Sequence, residues 1–346
     1  MKIGFDMMLW TTHVGDAHRP ILADIKKTGY DGVEIPIFEG TPDYFAGLGR
    51  TLDDIGLERT GISVIGALDA NPLSASAEDR QRGVDHMSWI IDCTAALGAK
   101  TVAGPLHSTI GHFSGSPPTE AERERARDFH RRVGDIAAKS DVRIALEAIN
   151  RFECYFVNTM DDLSRYVASV GHPNIKAMYD TFHANLEEDD PVGAYARNSE
   201  SVIHVHISEN NRGVPGRGHV PWAETFSALR RSGYDGWLTI EAFGRSLPAL
   251  AAATMIWRDL SEAPEEVYRD GFVHIRDGWA AAKAQAAKPR RKIAAKPKRA
   301  AKPRRSAAKP RSATKPAQRR RAKPAGRARK ASGGSRPRST PAKRKR

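Results

Sequence analysis

The chain has 346 residues and a formal net charge of +14, but the charge is unevenly placed. Residues 281–346 carry 27 Lys and Arg with no Asp or Glu, so the preceding 280 residues hold 28 basic against 41 acidic ones. The overall pI of about 9.9 therefore describes neither part, and the acidic portion is long enough for one large α/β domain with a buried core. Apolar, strand-like runs are predicted at 3–10, 32–37, 60–66, 101–104, 142–147, 175–180, 201–207 and 237–241. Amphipathic helical stretches separate them, among them 16–28, 77–97, 120–139, 161–170 and 222–231. Gly29, Gly98, Gly171 and Gly233 fall where helices should end, as a C-cap requires.

Eight β-then-α units in about 280 residues point to a parallel sheet covered by helices, closed as a (β/α)8 TIM barrel. The phosphate-cradling signatures of open sheets, GxGxxG and GxxxxGK[ST], are absent from the sequence. Two cysteines, Cys93 and Cys154, do not make a disulfide framework, and reduced thiols in the cytoplasm are expected. No apolar run approaches the ~20 residues of a membrane span. The opening MKIGFDMMLW passes straight into a strand-like run, so no signal peptide is expected.

In a barrel of this kind, functional groups sit at the C-terminal strand ends. The fifth strand ends on Glu147, the sixth on Asp180 with His183 three residues on, the seventh on His206 and the eighth on Glu241. One Asp before a helix is ordinarily an N-cap. The same placement on four successive strands is not explained by capping. Three carboxylates and an imidazole converging on one mouth would repel one another without a cation, and mixed O/N donors suit Mn2+, with Mg2+ or Co2+ possible. His204 and His206 share a strand face, and His206 lies nearer the mouth.

The stretches LEAINRFE, YDTFHANLEE, HVHISENNRGVPGRG and LTIEAF resemble the D-tagatose/D-psicose 3-epimerase branch of the xylose isomerase-like TIM barrels, over residues 1 to about 260. The resemblance implies Glu147, Asp180, His206 and Glu241 as metal ligands, Glu147 and Glu241 as the acid/base pair, and Glu153, His183 and Arg212 as substrate-binding residues. The implied substrate is a ketose, or a related hydroxy-carbonyl compound, epimerised at C3 through a cis-enediolate. Aldose–ketose or hydroxypyruvate-type isomerisation could use the same apparatus. Members of this family are often dimers or tetramers.

Phe5, Trp10 and Phe243 are candidates for an apolar wall against the sugar, with core packing as the alternative. The strand-four end, Gly104-Pro105-Leu106-His107, and the following loop with His112 and Phe113 match no particular sugar.

From residue 281 the sequence becomes Lys/Arg/Ala/Pro-rich, with Lys-Pro at 288, 296, 302, 309, 315 and 323, and resembles linker-histone tails. Such a segment is expected to be disordered and to bind nucleic acid by counterion release, associating the enzyme with the nucleoid. The tail also raises an endonuclease IV-like repair nuclease, or a nucleoid protein built on a barrel, as rival readings.

Overall fold

The computed structural model describes residues 1–286; the expected basic tail lies almost wholly outside the described residues. Eight parallel strands close in sequence order: β1 (Lys2–Asp6), β2 (Gly32–Pro36), β3 (Glu58–Ile62), β4 (Thr101–Gly104), β5 (Arg143–Glu147), β6 (Ile175–Asp180), β7 (Val202–Ile207) and β8 (Trp237–Ile240). Around them run α1 (Arg19–Thr28), α2 (Pro42–Ile55), α3 (Ala77–Leu97), α4 (Glu120–Lys139), α5 (Met160–Val170), α6 (Thr181–Glu187), α7 (Pro191–Asn198), α8 (Trp222–Arg231), α9 (Pro248–Ala253) and α10 (Pro264–Ala286). The chain is therefore a TIM barrel, as its alternation of elements implies.

Several boundaries differ from the sequence expectation, for local reasons. The first strand stops at Asp6 rather than residue 10, because the Asp6 carboxylate accepts the Met8 N–H at 2.8 Å and turns Met7–Leu9 into a 3-10 helix. The third strand starts two residues early, at Glu58, whose N–H bonds Asp31 O at 2.9 Å. The segment α2 carries two interior glycines, which weaken its helical signal. Gly49 is needed there: a Cβ would lie 2.6 Å from the Leu97 carbonyl oxygen, so the α2–α3 approach admits no side chain. α10 continues past the expected boundary at 280 to Ala286, because Ala-rich sequence favours helix and Pro289 is the first residue to oppose it.

Most apolar burial lies between the strands and the helices. The barrel interior is different. On the β4–β6 side a small buried apolar cluster is formed by Ala103, Ala145 and Met178. The remaining inward positions include Glu34, Thr60, His204, His206 and Thr239, each almost or wholly inaccessible to solvent. Register pairs Asp6 with Glu34, Asp180 with His206, and His206 with Thr239. Polar side chains from adjacent strands are thus at the same height, near the C-terminal mouth. Among the described residues no helix is long and apolar enough to cross a membrane.

Candidate active site

Glu147, Asp180, His206 and Glu241 all converge at the C-terminal mouth, and all are buried. His206 Nδ1 lies 3.6 Å from Asp180 Oδ2 and 3.5 Å from Glu241 Oε1. Its other nitrogen, Nε2, donates to Glu34 Oε1 at 2.6 Å. Glu34 Oε2 accepts from Thr60 Oγ1 at 2.8 Å and lies 2.9 Å from His204 Nε2. A carboxylate behind an imidazole fixes both ring orientation and tautomer, and leaves Nδ1 to face the site.

The electrostatics of this cluster demand a positive partner. Burial, and then the neighbouring Asp180 and Glu241 carboxylates, raise Glu147 well above the usual carboxylate range. Burial also opposes ionisation of Asp180, but the Arg212 guanidinium and the His206 contact outweigh it and hold Asp180 well below that range. Burial works against a charged His206; the Glu241 and Glu34 carboxylates override it and raise the imidazole. Glu147 Oε1, His206 Nδ1 and Asp6 Oδ2 are buried with no hydrogen-bond partner among the described residues. One donor atom from each of Glu147, Asp180 and His206 lies within 4.8 Å of the others, and the same holds for Asp6, His206 and Glu241. Orphaned buried donors at this spacing, mostly carboxylate with one imidazole, fit a divalent ion.

Arg212 is the cation the chain itself supplies. Its Nη1 donates to Asp180 Oδ2 and Ser208 Oγ, each at 3.0 Å, and also to Glu241 Oε2. The guanidinium sits 3.8 Å from the Phe182 ring centroid and 5.1 Å from that of Phe243, so both rings hold it by cation–π contact. Its backbone is left-handed (φ 63°), a conformation that a non-glycine residue adopts only when its surroundings impose it. The surroundings here are organised by Glu209. That buried carboxylate accepts the N–H groups of Asn210 (3.0 Å), Gly216 (2.8 Å) and Val220 (3.2 Å) and the indole N–H of Trp222 (2.9 Å). It draws the whole β7–α8 loop around one side chain.

His183 and Glu153 complete the polar side. The Asn150 N–H donates to His183 Nδ1 at 3.0 Å, which leaves Nε2 to face the site. That atom lies 3.5 Å from Glu147 Oε1 and 2.9 Å from Arg212 Nη2. Burial, and then Arg212, bring His183 down to about 3, so the ring is neutral at physiological pH. Asn150 also donates to Glu153 Oε1 at 2.6 Å, and burial raises Glu153.

Glu147, Glu153, His183, Arg212 and Glu241 line one side of a cavity of about 200 Å³. The opposite side is apolar and includes Met8, Phe38, Ile62, Ile110 and Phe243. Of the three aromatics expected as a sugar wall, Phe243 alone takes that place. Phe5 is buried on the outer face of β1, where it packs on Trp10 at 5.0 Å and on Tyr30 at 5.7 Å between centroids, because odd positions of that strand point to the helices. Phe113 is 46% exposed and does not reach the cavity, whereas Ile110 of the same loop does. His107 lies behind the site: its Nε2 bonds the Glu147 carbonyl oxygen at 2.9 Å, and burial brings it to about 3. The neutral ring therefore acts as a backbone strut for Glu147.

Asp6, Glu34 and Glu209 were missed as site residues. The first two had a readable signal, a lone carboxylate inside an apolar strand run, which burial tolerates only with a partner. Glu209 had none, since its four donors come from a loop whose path is not legible in the sequence.

Residues 22–277 match the family described as xylose isomerase-like TIM barrel. A ketose 3-epimerase of Arthrobacter globiformis is 30% identical over 289 residues, covering 82% of this chain and 98% of the relative. The chain belongs to the xylose isomerase-like TIM barrels, in the ketose 3-epimerase branch, a branch of isomerases. Among solved structures, an L-ribulose 3-epimerase superposes with a TM-score of 0.77 at 28% identity, covering 84% of this chain and 99% of that one. The D-psicose 3-epimerase of Clostridium cellulolyticum H10, solved with D-tagatose, gives 0.73 at 27% identity, with 80% and 98% covered.

Proposed function

We propose that the protein is a divalent-metal-dependent ketose 3-epimerase. The observation that carries the reading is the convergence of Glu147, Asp180, His206 and Glu241, with orphaned donor atoms, beside a cavity of about 200 Å³. These four would hold the ion, with Mn2+ the best match to their donor types. A bound ion supplies Lewis-acid polarisation of the substrate's C2 carbonyl.

The acid/base work falls to the chain. Glu147 and Glu241 stand on β5 and just past β8, across the barrel mouth from each other, and both reach the cavity. One carboxylate takes the C3 proton and leaves its electron pair conjugated with the C2 carbonyl, as an enediolate. The other returns a proton to C3 from the opposite face, which inverts the centre. Which glutamate acts first depends on the epimer bound. Arg212 offsets negative charge that develops on oxygen. The His183 ring and the Glu153 carboxylate hold substrate hydroxyls. The relatives named for ketose epimerisation, one of them spanning 98% of its own length, favour this reading over the nuclease and the nucleoid-protein readings.

We propose separately that the basic segment binds nucleic acid through its charge, independently of catalysis.

The test is proton exchange in D2O with Mn2+ over a panel of free ketoses, read by NMR. Deuterium at C3 together with the C3 epimer supports the proposal and names the substrate. Deuterium at C1 with an aldose product moves the protein to aldose–ketose isomerisation. Absence of exchange on every sugar overturns the sugar reading.

A further inference from the structure

β1 brings an acid to the site that the four-ligand set does not use. Asp6 is fully buried at the end of β1, opposite Glu34 in the β1–β2 register. Its Oδ1 accepts the Met8 N–H at 2.8 Å, whereas Oδ2 has no hydrogen-bond partner among the described residues. Arg212 is committed to Asp180 and Glu241. No Lys or Arg among the described residues forms an ion pair with Asp6. A carboxylate oxygen sealed from water, without donor or cation, is strongly disfavoured, the more so beside other carboxylates. Burial, and then Glu34 and Glu241, accordingly push Asp6 well above the ordinary carboxylate range.

The spacing points to what would relieve this. One donor atom from each of Asp6, His206 and Glu241 lies within 4.8 Å of the others. Donors that share one ion at about 2.0–2.6 Å stand at most roughly 4–5 Å apart, so this spacing lies at the upper limit of what one ion spans. His206 is common to this group and to the one it forms with Glu147 and Asp180, and its Nδ1 faces Glu241 Oε1 at 3.5 Å. A single ion at this hub has Asp6 on its β1 side.

We propose that Asp6 is a fifth protein donor to the divalent ion, reaching it through Oδ2. The proposal rests on the metal reading above and extends the ligand set from the β5–β8 half of the barrel to β1. Asp6 also differs from Glu34, whose oxygens already face His206 Nε2, Thr60 Oγ1 and His204 Nε2. Asp6 is not among the residues that line the cavity.

The experiment is calorimetric titration of Mn2+ into the full-length protein and into Asp6→Asn. Asparagine matches aspartate in shape and still accepts the Met8 N–H, so the turn is kept while the anionic donor is lost. The expected result is a Kd for Mn2+ raised by at least about tenfold. A Kd within about twofold of wild type overturns the proposal, since Asn also mimics a neutral Asp6 acid that holds no ion. A second measurement needs no variant. Pulsed EPR of the Mn2+-loaded, sugar-free wild type in 17O-water counts exchangeable waters. In a six-coordinate ion with one atom from each residue, five protein donors leave one water and four leave two. A count of one supports Asp6 as a ligand, and a count of two overturns it. Wild type that binds no Mn2+ at all would sink the metal reading itself, which is distinct from a wild type that binds and an Asp6→Asn that binds equally well.

Discussion

Glu34→Gln probes how the site is set from behind. Glu34 accepts from His206 Nε2 at 2.6 Å and from Thr60 Oγ1 at 2.8 Å, in surroundings without solvent. Glutamine keeps the volume but replaces one acceptor oxygen with a donor. If its NH2 turns to His206, the ring proton must move to Nδ1 and the lone pair facing the site is lost. If its NH2 turns to Thr60, the carbonyl still meets His206, but a charge-assisted hydrogen bond becomes a neutral one. Charge-assisted bonds contribute about 1.5–3 kcal/mol against about 0.5–1.5 for neutral ones. Loss of an outer partner to a metal-ligating His typically costs 10–100-fold in affinity, about 1.4–2.7 kcal/mol. The two estimates of scale agree. Calorimetry with Mn2+ should therefore show a Kd raised by about 10–100-fold, while C3 proton exchange at saturating Mn2+ falls by less. An unchanged Kd would refute the argument that β2 orients the ligand on β7.

Proton competition at His206 gives a pH dependence. Glu241 and Glu34 raise this imidazole above its ordinary value in the ion-free protein, and an ion at Nδ1 must displace the proton there. Mn2+ affinity should rise with pH, by up to about tenfold per unit, until pH passes the raised pKa; a flat profile between pH about 6 and about 8 would contradict this. Gly49→Ala should cost about 1–3 kcal/mol in urea unfolding, because its Cβ would stand 2.6 Å from the backbone oxygen of Leu97. Deletion of residues 287–346, which spares α10, should leave sugar kinetics within about twofold and abolish salt-sensitive DNA retention. Loss of activity on that deletion would mean that the segment belongs to the catalytic unit.

The barrel and the meeting of its strand-end acids were legible because they depend on order alone. Eight alternations fix which strands are neighbours, and consecutive neighbours bring Glu147, Asp180, His206 and Glu241 to one mouth. What could not be read depends on where chains bend. Asp6 looked like a mid-strand residue, because nothing in FDMML says that its carboxylate will cap Met8 and end the strand. Phe5 and Trp10 looked like wall residues for the same reason: a strand drawn to residue 10 gives the wrong account of which side chains reach the cavity. Ile110 entered the cavity while Phe113 did not, a difference set by a loop of irregular backbone with no periodicity to read.

The division of the cavity follows from the barrel's own asymmetry. The ends of β5 to β8 present Glu147, Glu153, His183, Arg212 and Glu241, while the segments after β1 to β4 present Met8, Phe38, Val64, Pro105 and Ile110. Asp6, Glu34, Glu147, Asp180 and Glu241 are all buried, and among the described residues Arg212 is the guanidinium that pairs with any of them, reaching Asp180 and Glu241. Such a charge balance is not a stabilising design, since each buried carboxylate is worth having only when paired. The fold carries it because the apolar layer between strands and helices is large and separate, and the interior is free to be strained. The same balance explains why Glu147 is held high and Asp180 low although both end adjacent strands. Arg212 reaches Asp180 and Glu241 but not Glu147. Glu147, like Asp6, is therefore left needing either a proton or a cation. A group poised between those two states is what the proposed proton transfer at carbon requires.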